Sequence, residues 1–219
     1  MKRANIIGTL VALAITPAAM ANTIHVTQTP GAHFSAGGEL TATTTPTEIL
    51  GPQTQGAGTF QTFCIESHVD LDINLNYNYT KGQTDHSGNT LKLGTAWLFQ
   101  QFDLGTLPGY AHNVTQAGLL QGAIWFFQGQ TANPASDASG YQINTSNPYV
   151  IDAMTALGAS AGNSSSGAFG VVVLQLDHPS DRTVGQDLLG IVPVPDGGAT
   201  IALLGLALVG FESLRRRLA

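Results

Sequence analysis

The chain has 219 residues, 10% of them charged, and a formal net charge of −6. Between its two ends the only cations are Lys81, Lys92 and Arg182, which leaves no basic patch to hold nucleic acid or an anionic lipid surface. The single cysteine, Cys64, excludes an internal disulfide.

The N-terminus reads as an export signal. Lys2 and Arg3 precede an apolar run from Ile6 to Ile15, and Ala19-Met20-Ala21 is a small-x-small cleavage site. This is a secretory signal peptide over residues 1–21, cut after Ala21. The run is too short to span a bilayer comfortably as a retained anchor. In an exported chain a lone cysteine points to an intermolecular bridge or a reactive thiol, and an unprotected thiol meets oxidants. A capped sulfur is a third solution.

Residues 22–190 have the size of one extracellular domain. Residues 22–62 are β-like and loop-rich: Thr23-Ile24-His25-Val26 alternates, Thr41–Thr45 is β-prone, and Pro30-Gly31, Gly37-Gly38, Pro46 and Gly51-Pro52 punctuate the stretch. From Val69 to Thr80 apolar and polar residues alternate, which predicts one half-buried strand across that length. Phe63 and Ile65 share the parity of its apolar set and Cys64 does not. Cys64 therefore faces the polar side unless something covers it or a bulge near Ser67 changes the phase.

Residues 81–90 form a turn or loop. Helical spacing follows from Leu91 to Phe102, with Leu93, Ala96, Trp97 and Gln100 on one face, and a second helix runs from Val114 to Gln128. Asn113 is its N-cap, and Gln116 stands where it completes a capping box. Val114, Ala117, Gln121, Ile124 and Gln128 form one stripe, with Trp125 beside it. Gly118 and Gly122 each cost about 1 kcal/mol relative to Ala in a helix, which predicts a close neighbour. A polar loop over 129–148, a short helix from Tyr149 to Leu157, a Ser/Asn turn over 162–167 and a buried strand from Phe169 to Leu176 complete the domain. The predicted fold class is α+β and β-rich: a β-sandwich or barrel-like sheet with a packed insertion of two to three helices. An N-terminal signal helix and a C-terminal apolar helix flank it.

Residues 191–219 carry a second signal. Val194-Pro195-Asp196-Gly197-Gly198 breaks structure, Ala199–Phe211 is apolar apart from Thr200, and Arg215-Arg216-Arg217 follows. As a helix the apolar run is about 20 Å long against a hydrocarbon core of about 30 Å, a short span with its arginines on the cytoplasmic side. This order of motif, apolar run and basic cluster resembles the PEP-CTERM sorting signals of Gram-negative bacteria, in a Val-Pro-Asp variant. The resemblance implies recognition by an exosortase, membrane anchoring at least before processing, and delivery to the cell surface or extracellular matrix. The alternative is a plain membrane tail anchor.

Gln121 lies in the apolar run Leu119–Phe127. Burying a carboxamide without partners costs roughly 2–7 kcal/mol, so it needs hydrogen bonds or a chemical role. Phe63-Cys64-Ile65-Glu66 and Leu120-Gln121-Gly122-Ala123-Ile124-Trp125 together resemble the thioester domains of bacterial surface adhesins, also called TQXA domains. In that family a Cys after an aromatic residue is bonded to a Gln in an apolar-Gln-x-apolar-apolar-Trp motif. The departure is Leu120, where the family's name implies Thr. The resemblance implies a cross-link between the Cys64 sulfur and the Gln121 side-chain carbonyl in a dry pocket formed by Phe63, Ile65, Ala123, Ile124 and Trp125. An amine on a target surface then attacks, leaving a permanent amide at Gln121 and a thiol at Cys64. Such a protein acts once, so it is not an enzyme and takes no cofactor. The same bond as an inert staple would contribute about 4 kcal/mol by closing a long loop. A plain buried thiol beside a hydrogen-bonded Gln is the third possibility. The rival function is a non-reactive structural protein of the extracellular matrix or biofilm.

Other chemistry finds no support in the spacing. Asp72-x-Asn74-x-Asn76 starts like a calcium loop but has Tyr77 where Gly is needed and Gln83 where Glu is needed. The six histidines have no zinc spacing, so no metal site is expected. A Cys-His hydrolase pairing Cys64 with His68 or His112 is disfavoured, because His68 lies along the same strand and points away from the sulfur.

Overall fold

The structure, a computed structural model, describes residues 22–34, 37–48, 50–51, 58–130, 140–180 and 183–192. The predicted signal helix over 1–21 and the apolar helix over 199–211 lie outside these residues. Six strands, β1 (Thr23–Phe34), β2 (Gly37–Thr45), β3 (Thr59–Thr62), β4 (Asn76–Gly82), β5 (Val171–Asp177) and β6 (Leu188–Ile191), form one antiparallel sheet in the order β3-β2-β1-β4-β5-β6. Three helices, α1 (Leu93–Asp103), α2 (Val114–Phe127) and α3 (Pro148–Leu157), are inserted between β4 and β5.

The two edges of the sheet meet. Just past β3, Cys64 bridges Leu188 antiparallel, the Ile65 N–H donates to the Asp187 carbonyl at 3.0 Å, and the Leu189 N–H donates to the Phe63 carbonyl at 3.1 Å. These contacts pair β6 with the continuation of β3, so that the two ends of the six-stranded sheet are joined by backbone hydrogen bonds. Alternation along the strands then separates two cores. Ile24, Val26, Leu40, Phe60, Tyr77 and Leu176 belong to an inner cluster. Phe63, Ile65, Val173 and Leu189 face a second cluster with Phe99, Phe102, Ile124 and Val150 of the helices.

The predicted strand from Val69 to Thr80 is only half formed. Its second half is β4, where Tyr77 and Tyr79 are buried, but residues 65–75 are irregular and Asn74 has φ 69°. Leu71 and Ile73 pack loosely on the inner cluster and Leu75 is exposed. Hydrogen bonds to Tyr77 replace a strand partner here: the Asp72 N–H donates to the Tyr77 hydroxyl, which donates to the Asp72 carbonyl. The predicted face of α1 also differs. Ala96 is buried, but Leu93, Trp97 and Gln100 are half-buried, and Thr95, Leu98, Phe99 and Phe102 carry the contact. This helix is covered by α2, α3 and β5 together, so its buried arc is wider than a single stripe.

Helix α2 begins where its sequence signals say. Asn113 Oδ1 accepts from the Gln116 N–H at 3.0 Å, and Gln116 Oε1 accepts from the Ala111 N–H at 2.8 Å, one residue pair upstream of the expected box partner. Val114 is exposed while Ala117, Gln121, Ile124 and Gln128 are buried. Gly122 is obligatory: a Cβ there would stand 1.6 Å from the Tyr141 carbonyl oxygen.

Candidate functional site

Cys64 and Gln121, 57 residues apart in sequence, meet in the interior. The Cys64 N–H donates to Gln121 Oε1 at 3.1 Å, and Gln121 Nε2 donates to the Cys64 carbonyl at 2.7 Å. Gln121 is fully buried and Cys64 is 1% exposed. Local register explains why a side chain fits there. Leu40 pairs with Thr62, so an unbroken β2–β3 ladder would carry Gly38 opposite Cys64. The ladder stops at Thr62, and Gly38, at φ 90°, turns the chain through a conformation that L side chains rarely adopt. The Gln121 carboxamide takes the hydrogen-bonding positions that a strand would have filled. Gly37 leaves the room: a Cβ there would be 3.0 Å from Gln121 Cγ and 3.1 Å from Trp125 Cη2.

The parity argument for Cys64 resolves without a bulge. Its side of the strand is covered by the inner cluster, to which it belongs. Of the residues expected to surround the sulfur, Trp125 shares that cluster with it. Phe63, Ile65, Ala123 and Ile124 are buried in the adjoining cluster under the helices. They hold strand against helix from behind rather than lining the Cys64 side.

The backbone around Cys64 is fixed at several points. Gln130 Oε1 accepts from the Ser67 N–H at 3.2 Å, and Gln186 Nε2 donates to the Glu66 carbonyl. Ser87 Oγ donates to Glu66 Oε1 at 3.1 Å. Sequence reasoning missed Gln130 and Gln186, whose partners lie 63 and 120 residues away. It noted the Gly37-Gly38 pair only as punctuation.

Burial, reinforced by Glu66 nearby, pushes the Cys64 thiol far above its ordinary value. The sulfur is therefore a protonated thiol across the physiological range, and as a leaving group it departs slowly. Glu66 is itself raised, by burial first and then by Asp187. Cys64 nevertheless lines a cleft of about 310 Å³ together with Gln28, His33, Leu40, Asp70 and Gln186. Cys64 thus borders a recess in the surface.

His112, one partner considered for a Cys-His pair, is held by Glu39 instead, with Nδ1 3.0 Å from Glu39 Oε2. Among the described residues no helix is long and apolar enough to cross a membrane. The predicted sorting residues, Val194 to Gly198 and Arg215 to Arg217, lie outside the described residues.

Comparison with known proteins informs that C-terminus. Residues 193–218 match the VPDSG-CTERM motif, with Gly197 standing where the motif's name has Ser. The chain thus carries a PEP-CTERM-like C-terminal sorting signal, which implies processing by an exosortase-type enzyme and suggests export with surface association. No curated protein and no solved structure matches the chain.

Proposed function

We propose that this is an exported surface protein that captures amines covalently through an internal thioester between Cys64 and Gln121. The observation that supports it is the double hydrogen bond between the Gln121 carboxamide and the Cys64 backbone. The sorting signal is consistent with the location such a hook needs.

The chemistry follows from this arrangement. The Cys64 sulfur attacks Gln121 Cδ while the Cys64 N–H polarises Oε1, acting as an oxyanion donor aimed at the acyl oxygen. The S–C bond forms, the C–N bond breaks, and the thiol proton leaves with the amide nitrogen as ammonia. Amides resist thiols, so positioning must supply the drive; effective molarities of roughly 10⁵–10⁸ M are available to well-held groups. The high proton affinity of the thiol then protects the product, since a basic thiolate is a poor leaving group. In the second step a neutral primary amine attacks Cδ, the S–C bond breaks, and a proton from the amine returns to sulfur. A permanent amide to Gln121 remains and Cys64 is a thiol again. No turnover occurs and no cofactor is needed.

A second reading has its own support. The two hydrogen bonds satisfy the Gln121 carboxamide with no reaction at all, so Gln121 can serve as a fixed strand substitute beside an inert thiol. The protein would then be a structural component of the extracellular matrix. Intact mass separates the readings. A deficit of one ammonia, abolished by Cys64→Ala and by Gln121→Glu, is expected; methylamine should add at Gln121 and restore a free thiol. A full-mass protein with a titratable Cys64 after denaturation overturns the thioester.

A further inference from the structure

The cleft that reaches Cys64 is uneven in charge. One wall is the irregular segment after Cys64, which contributes Val69, Asp70, Leu71, Asp72 and Ile73. Tyr77 fixes this wall through its two hydrogen bonds to the Asp72 backbone, at 2.9 and 3.0 Å, and Gln130 fixes its start at Ser67. Asp70 is exposed, and the Asp72 side chain is 68% exposed with one oxygen 3.8 Å from His178 Nε2. The opposite wall is β1, with Gln28 Nε2 2.9 Å from His33 Nε2. Among the described residues no lysine or arginine lines the cleft. Leu40, Val69, Leu71 and Ile73 supply apolar surface to the same cleft.

We infer that this cleft is built for a primary amine on a polymethylene stem whose surroundings are positively charged, with Asp70 and Asp72 as the specificity-determining residues. The inference rests on the thioester reading and says which amines it takes. The stem lies along the apolar residues and the amine reaches Gln121 Cδ. A second cation near the stem's far end meets Asp70 and Asp72 at the mouth. A carboxylate in that place is repelled by the same pair. The favoured target is therefore an amine in a basic patch of a partner surface, and an amine flanked by acidic groups is rejected. Charge of one sign at the mouth of a low-dielectric cleft raises the local concentration of the opposite sign, by about tenfold or more at low salt.

The test compares rates of adduct formation on the full chain by intact mass, with three probes. Cadaverine carries a second cation, 6-aminohexanoate carries a carboxylate, and methylamine carries neither. Cadaverine should add about tenfold faster than 6-aminohexanoate at low ionic strength, with the gap shrinking to about twofold in high salt. Asp70→Asn/Asp72→Asn should close the gap between the two charged probes, while methylamine still adds, which shows that the variant is folded. Equal rates for the two charged probes on the wild-type chain, with methylamine still adding, overturn this inference and leave the thioester intact. A gap that survives in the double variant overturns the assignment to Asp70 and Asp72. No ammonia deficit and no methylamine adduct overturn the inference and the thioester together.

Discussion

Helix α2 carries two buried glutamines on one stripe, Gln121 and Gln128, and they do different work. Gln128 Oε1 accepts from the Lys92 N–H at 2.9 Å and from Thr95 Oγ1 at 3.3 Å. It thereby caps α1, whose N-cap residue Lys92 makes no side-chain cap of its own. Its Nε2 has no partner among the described residues. Gln121 uses both ends of its carboxamide on one extended residue, and that residue carries the only thiol in the chain. Both side chains are buried, and both accept a backbone N–H through Oε1. What differs is the neighbour: a helix end for one, a thiol bordering a cleft for the other.

Removing the sulfur should separate the two ends most sharply. A Cys64–Gln121 cross-link closes a loop of 57 residues, which in the chain-entropy account contributes about 4 kcal/mol. Cys64→Ala should therefore lower the unfolding free energy by about 4 kcal/mol in denaturant titration. Adding Gln121→Glu to Cys64→Ala should cost far less than the two single changes summed, because one bond can be broken only once. A loss near 1 kcal/mol, the scale of one small buried group, would indicate an unlinked thiol.

Gly122→Ala tests the shared seat of both glutamines. The new Cβ meets the Tyr141 carbonyl at 1.6 Å, a backbone atom that cannot rotate away. A destabilisation of about 3 kcal/mol or more is expected, with the ammonia deficit lost as α2 shifts. Full stability in this variant would mean that α2 and the turn at Tyr141 are not packed as described. Gln128→Ala isolates the other end. It removes two hydrogen bonds from the start of α1 and should cost about 2 kcal/mol in the same titration, with no change in the ammonia deficit. A changed deficit would tie the two ends together chemically as well as mechanically.

Those contrasts also mark what the chain disclosed before folding. The cap at Asn113, the extent of α2 and the need for Gly122 are local signals, and each reads from a few neighbouring residues, whereas the candidate pair came from a family resemblance of two motifs 57 residues apart. The closing of the sheet did not read out, because Leu188–Ile191 is short and its partner around Cys64 lies over 120 residues earlier. The strand over 69–80 was over-read: its alternation is real, but Asn74 at φ 69° and the Tyr77 hydrogen bonds to Asp72 break it where no Gly or Pro gave warning. The lining of the sulfur was misplaced for a related reason. Residues next to Cys64 in sequence belong to the cluster on the other face of the strand, and of the five expected neighbours Trp125 shares the Cys64 cluster.

The smallest expected effect comes from Glu66, which stands two residues from the sulfur and has no counterpart near Gln128. Its Oε1 accepts from Ser87, while Oε2 is buried without a partner among the described residues. Burial and the facing carboxylates Asp187 and Asp85 hold its proton more tightly than in the unfolded chain. Asp187 is also raised by burial, although the His86 N–H and ring bond to it. For such raised carboxyls the folded state keeps protons that the unfolded state has released. Their contribution to stability is complete below the ordinary carboxylate range and is lost as pH climbs through the raised values. Glu66→Gln keeps the acceptor for Ser87 and removes the charge, so it should stabilise the chain at neutral pH by about 1 kcal/mol and leave it unchanged at low pH. Thermal melts at acidic and neutral pH would read this as a flatter profile in the variant. Because Glu66 also raises the Cys64 thiol, the variant should make that sulfur a slightly better leaving group, and methylamine should add somewhat faster. An unchanged melting profile would mean that Glu66 is solvated in the folded chain, and would remove the acidic neighbour from the account of why the cross-link persists.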